Sequence, residues 1–193
     1  MDTSLEISGA CYYPDNNTSF FRLNDIKQNS SILSLRVEGP KNSVQERIQQ
    51  LKKIFAEKDF SVLDIFQSKA FWSLSKNLEA FKNSGEIVCK ISLPITKTSE
   101  FLDKFSNDIK YFIDWAGGLI WISARDNEII SKMRIFTVKN NGHLTIYKAE
   151  ANFRRTEEFL TYGDTNLKVL SSKIKKSFDP NLILNPGKMY AGI

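Results

Sequence analysis

The chain has 193 residues, of which 41% are hydrophobic and 25% are charged, and its formal net charge is +5. This length and balance are typical of one globular domain, or of one domain with a small appendage. The longest apolar run, residues 115–122, is too short to span a membrane, and the first residues lack the order of a secretory signal. Two cysteines are too few for a disulfide framework or a zinc site, so the composition favours a cytoplasmic protein.

In the first half of the chain, alternating apolar residues and turn residues predict strands, and amphipathic stretches predict helices. Ser43, with Glu46 three residues later, forms a capping box that is expected to begin a helix. In chain order, the predicted elements are a strand-turn-strand lead-in at 4–24, a strand at 32–37, a helix from 43 to about 58, a strand at 60–66 and a helix at 68–81.

The second half of the chain continues the same alternation of strands and helices. A helix is expected to begin at a Thr98 or Ser99 cap. The run 111–124 is extended on both sides of Gly117-Gly118, and a strand pair or a bulged strand fits it equally well. The other predicted elements are a strand at 86–93, a helix from Asp126 or Asn127, a strand at 143–149 and a helix at 165–178.

The order of these elements predicts the fold class. Strand-helix-strand occurs twice, at 32–66 and at 86–149, and each linking helix has one apolar stripe. That order predicts an α+β fold, a ferredoxin-like antiparallel sheet with helices packed on one face. We expect residues 1–150 to form this domain and residues 151–193 to add a C-terminal helix and a tail.

The lysines of the helix at 165–178 raise the question of nucleic acid, because clustered lysines are typical of proteins that bind phosphate backbones. These lysines lie opposite an apolar face formed by Leu167, Leu170, Ile174 and Phe178, which makes them the solvated side of an amphipathic helix. No aromatic residues alternate with them as a stacking platform requires. The sequence therefore predicts no nucleic-acid partner.

The tail after this helix is built to hold one shape. Pro180 disfavours helix at Asp179, and Pro186-Gly187 adds a second turn. Chain ends usually fray unless they dock. Because the tail is rich in apolar side chains, we expect it to be buried against a partner or another part of the fold.

Six segments of the chain together resemble a known family. They are Ser8-Gly9-Ala10, the run 35–40 (LRVEGP), Phe71-Trp72, the run 114–121 (DWAGGLIW), Gly142-His143 and the tail 178–193 (FDPNLILNPGKMYAGI). In that order the chain resembles the FAD-binding subunit of bacterial glycolate oxidase, among the FAD-linked oxidases related to vanillyl-alcohol oxidase and D-lactate dehydrogenase. The resemblance covers the second half of that subunit, and the family's amino-terminal flavin-binding domain has no counterpart here.

The resemblance implies a cap domain that shapes the substrate side of FAD in a glycolate oxidase or dehydrogenase, acting on a 2-hydroxy acid. It also implies an iron–sulfur subunit as electron acceptor. A cytoplasmic protein of this family can be peripheral to the inner membrane through its partner subunits. The chain has no glycine-rich phosphate-binding loop. FAD would therefore be held mainly by a domain or subunit outside this chain, and the chain alone would be inactive.

His143 is the candidate catalytic residue, because imidazole is the side chain whose unperturbed pKa lies near neutrality. The resemblance implies that it removes the hydroxyl proton of a 2-hydroxy acid as the α-hydride leaves for the flavin. A structural histidine bonded to backbone is the other interpretation. In the family's Gly-Gly-His-Ala-Thr run, the first glycine is replaced here by Asn141.

Arg36 and Lys90 are candidates for binding the substrate carboxylate, although ordinary surface ion pairs would explain them equally well. Trp115 is a candidate wall of the substrate pocket, with Trp121 as a second. Gly117 and Gly118 would let the backbone approach a planar ring, and a core hairpin is the alternative.

Asn185 and Lys188 match the family's Asn-Pro-Gly-Lys/Arg motif, so the resemblance places them near the flavin or its domain. No metal site is expected: one histidine and two cysteines cannot supply a soft-ligand cluster, and a carboxylate site for magnesium or calcium, the remaining alternative, has no motif in the sequence. A non-catalytic α+β interaction module, or a remnant of a split flavoenzyme gene, is the competing interpretation of the whole chain.

Overall fold

The computed structural model describes residues 5–21, 30–56, 58–82, 86–150, 153, 160–161 and 165–186. Its strands are β1 (Ile7–Tyr13), β2 (Ile32–Val37), β3 (Ile87–Ser92), β4 (Lys110–Asp114), β5 (Leu119–Ala124), β6 (His143–Lys148) and β7 (Leu160–Thr161). Its helices are α1 (Lys41–Ile54), α2 (Ile65–Lys76), α3 (Ile95–Phe105), α4 (Asn127–Lys139) and α5 (Thr165–Phe178).

The chain divides into two compact units. The first unit comprises Met1–Asn83 and Phe112–Ala116, and the second comprises Ser84–Tyr111 and Gly117–Ile193. The sequence-based division into 1–150 and 151–193 stays a prediction. No helix among the described residues is long and apolar enough to cross a bilayer.

The first unit is built on strands in the order β2-β1-β4. β1 pairs antiparallel with β2 from Ile7↔Val37 to Tyr13↔Ile32, and Tyr12 of β1 pairs with Ile113 of β4. A cluster of buried aromatic rings fills this unit, and Tyr13 stacks on Phe112 with ring centroids 4.6 Å apart. The other fully buried rings are Phe21, Phe71 and Phe81.

The second unit has the antiparallel strand order β5-β3-β6-β7. Helices α3 and α4 supply Phe101, Phe105, Ile130, Met133 and Phe136 to a core that covers one face of this sheet. Along the chain, β3-α3-β4-β5-α4-β6 is a βαββαβ sequence, and its first strand lies between its third and fourth. This arrangement confirms the predicted α+β, ferredoxin-like class.

The prediction of a strand at 60–66 is wrong, and the helix predicted at 68–81 is present but spans Ile65–Lys76. Asp64 accepts hydrogen bonds from the backbone N–H groups of Phe66 and Gln67, and the Gln67 side chain accepts one from the Asp64 N–H. This reciprocal capping box begins α2 at Ile65, within the stretch whose apolar alternation resembles a strand. The helix ends at Lys76, before Leu78 adopts a left-handed conformation with φ of 53°.

Two other predicted helix starts are also wrong. α1 begins directly after Pro40 and α3 directly after Pro94, and neither start has a side-chain cap. The proline ring fixes φ near the helical value, so the chain turns into the helix earlier than Ser43 or Thr98. α1 also ends at Ile54, short of the predicted end near 58.

The second strand of the predicted lead-in does not occur at 18–21, where the chain turns after a 3-10 turn at Asp15–Asn17. Its remainder at 22–24 lies outside the described residues. By contrast, β2 and α5 have the predicted bounds, and α4 begins at the predicted Asp126 cap, which accepts a bond from the Glu128 N–H. The extended run 111–124 proves to be parts of two strands separated by a turn.

Candidate functional site

The central strand β3 positions the candidate site in the second unit. Cys89 and Ile91 point into the helix-covered core, so Lys90 and Ser92 point to the opposite side of the sheet. We call this side the second face and define it by Lys90, Ser92, Trp121, His143, Thr145 and Tyr147. In the strand register, Lys90 pairs with Trp121 of β5 and Thr145 of β6, and Ser92 pairs with His143.

The structure therefore brings together two of the predicted site residues, His143 and Lys90. They lie on neighbouring strands and two residues apart in register. Partial burial lowers the pKa of His143, and the positive charge of Lys90 lowers it further. The imidazole is consequently held in its neutral form near pH 7, in which one ring nitrogen can accept a proton.

Two aromatic residues complete the second face. The rings of Trp121 and Tyr147 meet edge to face, with centroids 5.2 Å apart. Because β5 and β6 flank β3 on opposite sides, this contact crosses the central strand. The Lys90 ammonium lies 5.9 Å from the centroid of Trp121, a cation–π distance. Lys90 thus lies between Trp121 on β5 and the strand β6 that carries His143.

Sequence reasoning missed Tyr147 and gave Trp121 only a secondary place. The alternation of β6 puts Leu144 and Ile146 in the core and leaves Tyr147 on the same face as His143. That signal was available in the sequence. The contact between Tyr147 and Trp121 could not be predicted from the sequence, because it depends on which strands lie next to β3.

The end of α4 fixes the position of His143. The N–H of Asn141 donates to the carbonyl of Val138, and the N–H of Gly142 donates to that of Thr137 at 2.9 Å. These are the two bonds of a Schellman cap, with Asn141 in the left-handed conformation at φ 57°. Asn141 therefore occupies a backbone position that suits glycine, which gives the Asn-Gly pair before His143 a structural role.

Gly142 is required by close packing. A Cβ at this position would lie 2.3 Å from the carbonyl oxygen of Ser92 and 2.7 Å from a methyl group of Leu93. The backbone of β6 can begin this close to β3 only without a side chain there. Gly142 thus permits the close approach of the two strands at the point where His143 pairs with Ser92.

The turn with the twin glycines is held by internal contacts. Trp115, Ala116 and Gly117 all have positive φ, and the Trp115 N–H donates to Asp114 at 2.8 Å. The carbonyl of Gly117 accepts from the Thr98 hydroxyl, and that of Gly118 accepts from the Leu93 N–H. Both glycines therefore have a structural role within the second unit. A contact between these glycines and a flavin stays a prediction.

Trp115 and Arg36 belong to the first unit. The Trp115 side chain is 63% exposed at its strained turn. Arg36 donates to Glu38 at 2.8 Å, and its guanidinium lies 6.0 Å from the centroid of the Trp72 ring. The ion pair and the ring contact are those of an ordinary surface arginine, and substrate binding by Arg36 and Trp115 stays a prediction.

Asp179 organises the tail after α5. Its buried carboxylate pairs with Lys175 and accepts from the N–H groups of Ile183 and Leu184, at 3.0 and 2.9 Å. The hydrogen bond from Lys175 is the main reason that the pKa of Asp179 is lowered, and the two backbone bonds add to it. Beyond this turn, Asn185 is exposed with φ of 48°, and Lys188 lies outside the described residues.

The apolar face of α5 is only partly covered within the described part of the chain. Leu167, Leu170 and Ile174 are each about half exposed, and Phe178 is 84% exposed. Ile183 and Leu184 of the tail are exposed as well. We call these six residues the C-terminal apolar surface. An apolar stripe that stays half exposed along a helix and continues into an exposed tail is typical of an interaction site.

Neither metal nor cysteine chemistry is indicated among the described residues. No three His, Cys, Asp or Glu side chains there converge as a metal site. Burial raises the pKa of Cys11 and of Cys89 to about 12. Both thiols are therefore protonated at neutral pH and are poor nucleophiles.

Comparison with known families gives a match in the second half of the chain. Residues 123–189 match the family model described as FAD linked oxidases, C-terminal domain. The matched segment is about a third of the chain and runs from the end of β5 through α4, β6 and α5 into the tail. No curated protein matches the chain.

The match defines a class for this part of the chain: it is similar to the C-terminal domain of FAD-linked oxidases, which are flavin-dependent oxidoreductases. His143, Asn185 and Lys188 lie inside the matched segment. Lys90, Arg36, Trp115 and the twin glycines lie outside it, so only their own contacts support a role for them.

Proposed function

We propose that the chain forms the substrate side of an FAD-dependent oxidase or dehydrogenase that acts on 2-hydroxy acids, of which glycolate is the simplest. One observation carries the proposal: a histidine kept neutral lies beside a lysine on the same sheet face. The oxidation of a 2-hydroxy acid requires a base and a cation close together. The base removes the hydroxyl proton of the substrate, and the cation binds its carboxylate.

In this function Lys90 binds the substrate carboxylate, and His143 accepts the hydroxyl proton. The two roles support each other. A carboxylate next to Lys90 offsets the charge that lowers the pKa of His143, so the imidazole becomes a stronger proton acceptor when the substrate is present. FAD, when bound, supplies the acceptor for the α-hydride.

The residues of this chain fit only part of an FAD site. The second face offers a cation and two aromatic edges beside which a planar ring could lie. The sequence contains no G-x-G-x-x-G or similar phosphate-binding loop. We therefore propose that FAD is held mainly by a separate flavin-binding domain or subunit, and that electrons pass onward to an iron–sulfur subunit.

The C-terminal apolar surface supports the presence of such a partner. The lysines of α5 lie on the side opposite to the apolar stripe. The apolar stripe is therefore the side of α5 that a partner can bury. We propose that α5 and the tail pack against the flavin-binding body. Asn185 and Lys188 would then lie at that contact.

The experiment uses the fact that His143 is the only histidine in the chain. Its imidazole therefore gives one titrating signal in an NMR spectrum, without assignment by mutation. Adding glycolate to the chain should shift this signal and raise the pKa of His143. Lys90→Gln should abolish the response, and Lys90→Arg should retain it. An unchanged His143 titration at saturating glycolate would refute the proposed site.

A second candidate function is a non-catalytic interaction module, which the exposed C-terminal apolar surface would also suit. The two functions make different predictions for a reconstituted complex with an FAD-loaded partner. The oxidase function predicts that His143→Gln abolishes 2-hydroxy-acid oxidation without weakening the complex. The module predicts a stable complex with no such oxidation in the wild type.

A further inference from the structure

The position of the aromatic pair relative to Lys90 bears on the substrate of the site. We infer that the site prefers 2-hydroxy acids with an aromatic side chain over glycolate, and that Trp121 and Tyr147 provide this preference. The inference rests on the proposed function, because it assumes that Lys90 and His143 bind a hydroxy acid.

The strand register sets an order along the second face. His143 lies level with Ser92, on one side of Lys90. Tyr147 lies on the other side, where the register shifts between Val88 and Cys89, and its ring meets Trp121 there. Trp121 lies level with Lys90 on β5, so the aromatic pair extends from Lys90 in the direction away from His143 and Ser92.

Distance then separates short substrates from long ones. Residues two apart on a strand are about 7 Å apart. Glycolate has two carbons, so with its carboxylate at Lys90 and its hydroxyl at His143 it has no atom left to reach Tyr147. A hydroxy acid with a phenyl side chain can make both polar contacts and extend the ring toward Trp121 and Tyr147.

The ring of Tyr147 is exposed enough to contact the phenyl ring of such a substrate. Tyr147 is 59% exposed although one edge already contacts Trp121. A substrate ring placed against it buries apolar area on both partners, and offset or edge-to-face contact between aromatic rings is favourable. Trp121 also lies within cation–π distance of Lys90, so a group bound at the ammonium is already next to the indole ring.

The test compares the affinities of the full chain for 3-phenyllactate and glycolate, both read from the single His143 imidazole signal. We expect phenyllactate to bind about tenfold more tightly, the usual scale of discrimination by an apolar contact. 3-Phenylpropionate keeps the carboxylate and the ring but lacks the hydroxyl. It should perturb the Trp121 indole signal and still raise the pKa of His143 through Lys90, but bind more weakly than phenyllactate.

The variant Tyr147→Ala tests whether Tyr147 causes the preference for phenyllactate over glycolate. The affinity ratio of phenyllactate to glycolate should fall from about ten to near one. Phe66→Ala is the matched control, because it removes another exposed aromatic ring, in α2 of the first unit. The ratio should stay near ten in this control.

The outcomes separate the two levels of the proposal. Equal affinities in the wild type, or a preference that survives Tyr147→Ala, would overturn the inference and leave the hydroxy-acid site intact. If neither acid changes the His143 signal, the proposed function itself fails. A preference retained in Phe66→Ala and lost in Tyr147→Ala supports the inference.

Discussion

The ammonium group of Lys90 and the imidazole of His143 share one face of the sheet, and the charge of the first lowers the pKa of the second. The strands that carry them are adjacent, but the residues are far apart in the sequence. Their proximity gives a measurable coupling that does not require substrate, cofactor or partner.

We expect Lys90→Gln to raise the pKa of His143. Removing the positive charge makes the imidazolium less unfavourable, while the partial burial that also lowers the pKa remains, so the value should stay below its ordinary 6.5. Lys90→Arg keeps the charge and should leave the pKa nearly unchanged. The measurement is the pH titration of the single imidazole signal, and no change in Lys90→Gln would contradict the coupling.

The same coupling affects stability. Because the folded-state pKa of His143 lies below its unfolded value, its contribution to stability is present above the unfolded pKa and is lost as pH falls toward the folded one. Lys90→Gln raises the folded-state pKa of His143, so the difference between the folded-state and unfolded-state pKa values becomes smaller. Urea unfolding of both proteins at several pH values between 5 and 8 should show a weaker loss on acidification in the variant.

Gly142→Ala should destabilise the fold strongly. The new methyl group would meet the carbonyl of Ser92 at 2.3 Å, so the strand must move or separate. We expect a loss of roughly 3 kcal/mol in the free energy of unfolding, at the upper end for overpacking.

Asn141→Gly is the matched control for Gly142→Ala, in the neighbouring residue of the same cap. Glycine suits the left-handed conformation at Asn141 but has a more flexible unfolded state. These effects nearly cancel, and the free energy of unfolding should stay within about 0.5 kcal/mol of the wild type. Comparable losses in both variants would show that the Ser92 contact is not the cause.

Asp179→Asn should loosen the turn after α5. The amide cannot accept all the bonds that the carboxylate makes with Lys175, Ile183 and Leu184. The amide hydrogens of Ile183 and Leu184 should exchange faster. In the wild type the same loosening should appear only in acid, as pH falls below 3.8 through the lowered pKa of Asp179.

A neighbouring lysine provides the control for that experiment. Lys176→Met alters an exposed residue of α5 and should leave the exchange of both amides unchanged. If Asp179→Asn had no effect on these amides at neutral pH, the carboxylate would not be what holds the tail.

Phe178→Ser should weaken the complex with a flavin-binding partner. The ring is 84% exposed in this chain, so its loss costs little stability here and removes apolar contact area there. Size-exclusion chromatography that follows the flavin absorbance measures the complex. Lys173→Ser, on another side of α5, should have a smaller effect, and equal effects would argue against docking through the apolar stripe.

Local sequence signals were sufficient where neighbouring residues decide the structure. The amphipathic stripe predicted α5 and Pro180 predicted its end, and the acidic cap gave the start of α4. The same reasoning failed at 60–66, where apolar alternation suggested a strand. Asp64 and Gln67 form a capping box there, and a local hydrogen-bond pair outweighs alternation when no neighbouring strand accepts the segment.

The sequence by itself thus determined most strands and helices and the α+β class, because these depend on residues close in the chain. His143 became a candidate through its side-chain type and the family resemblance. Only the tertiary structure decided that Lys90 and His143 lie together and that Tyr147 meets Trp121 across β3. It also showed that Gly142 is fixed by Ser92. These relationships depend on strand order and register, which arise from packing between distant segments and leave no local pattern in the sequence.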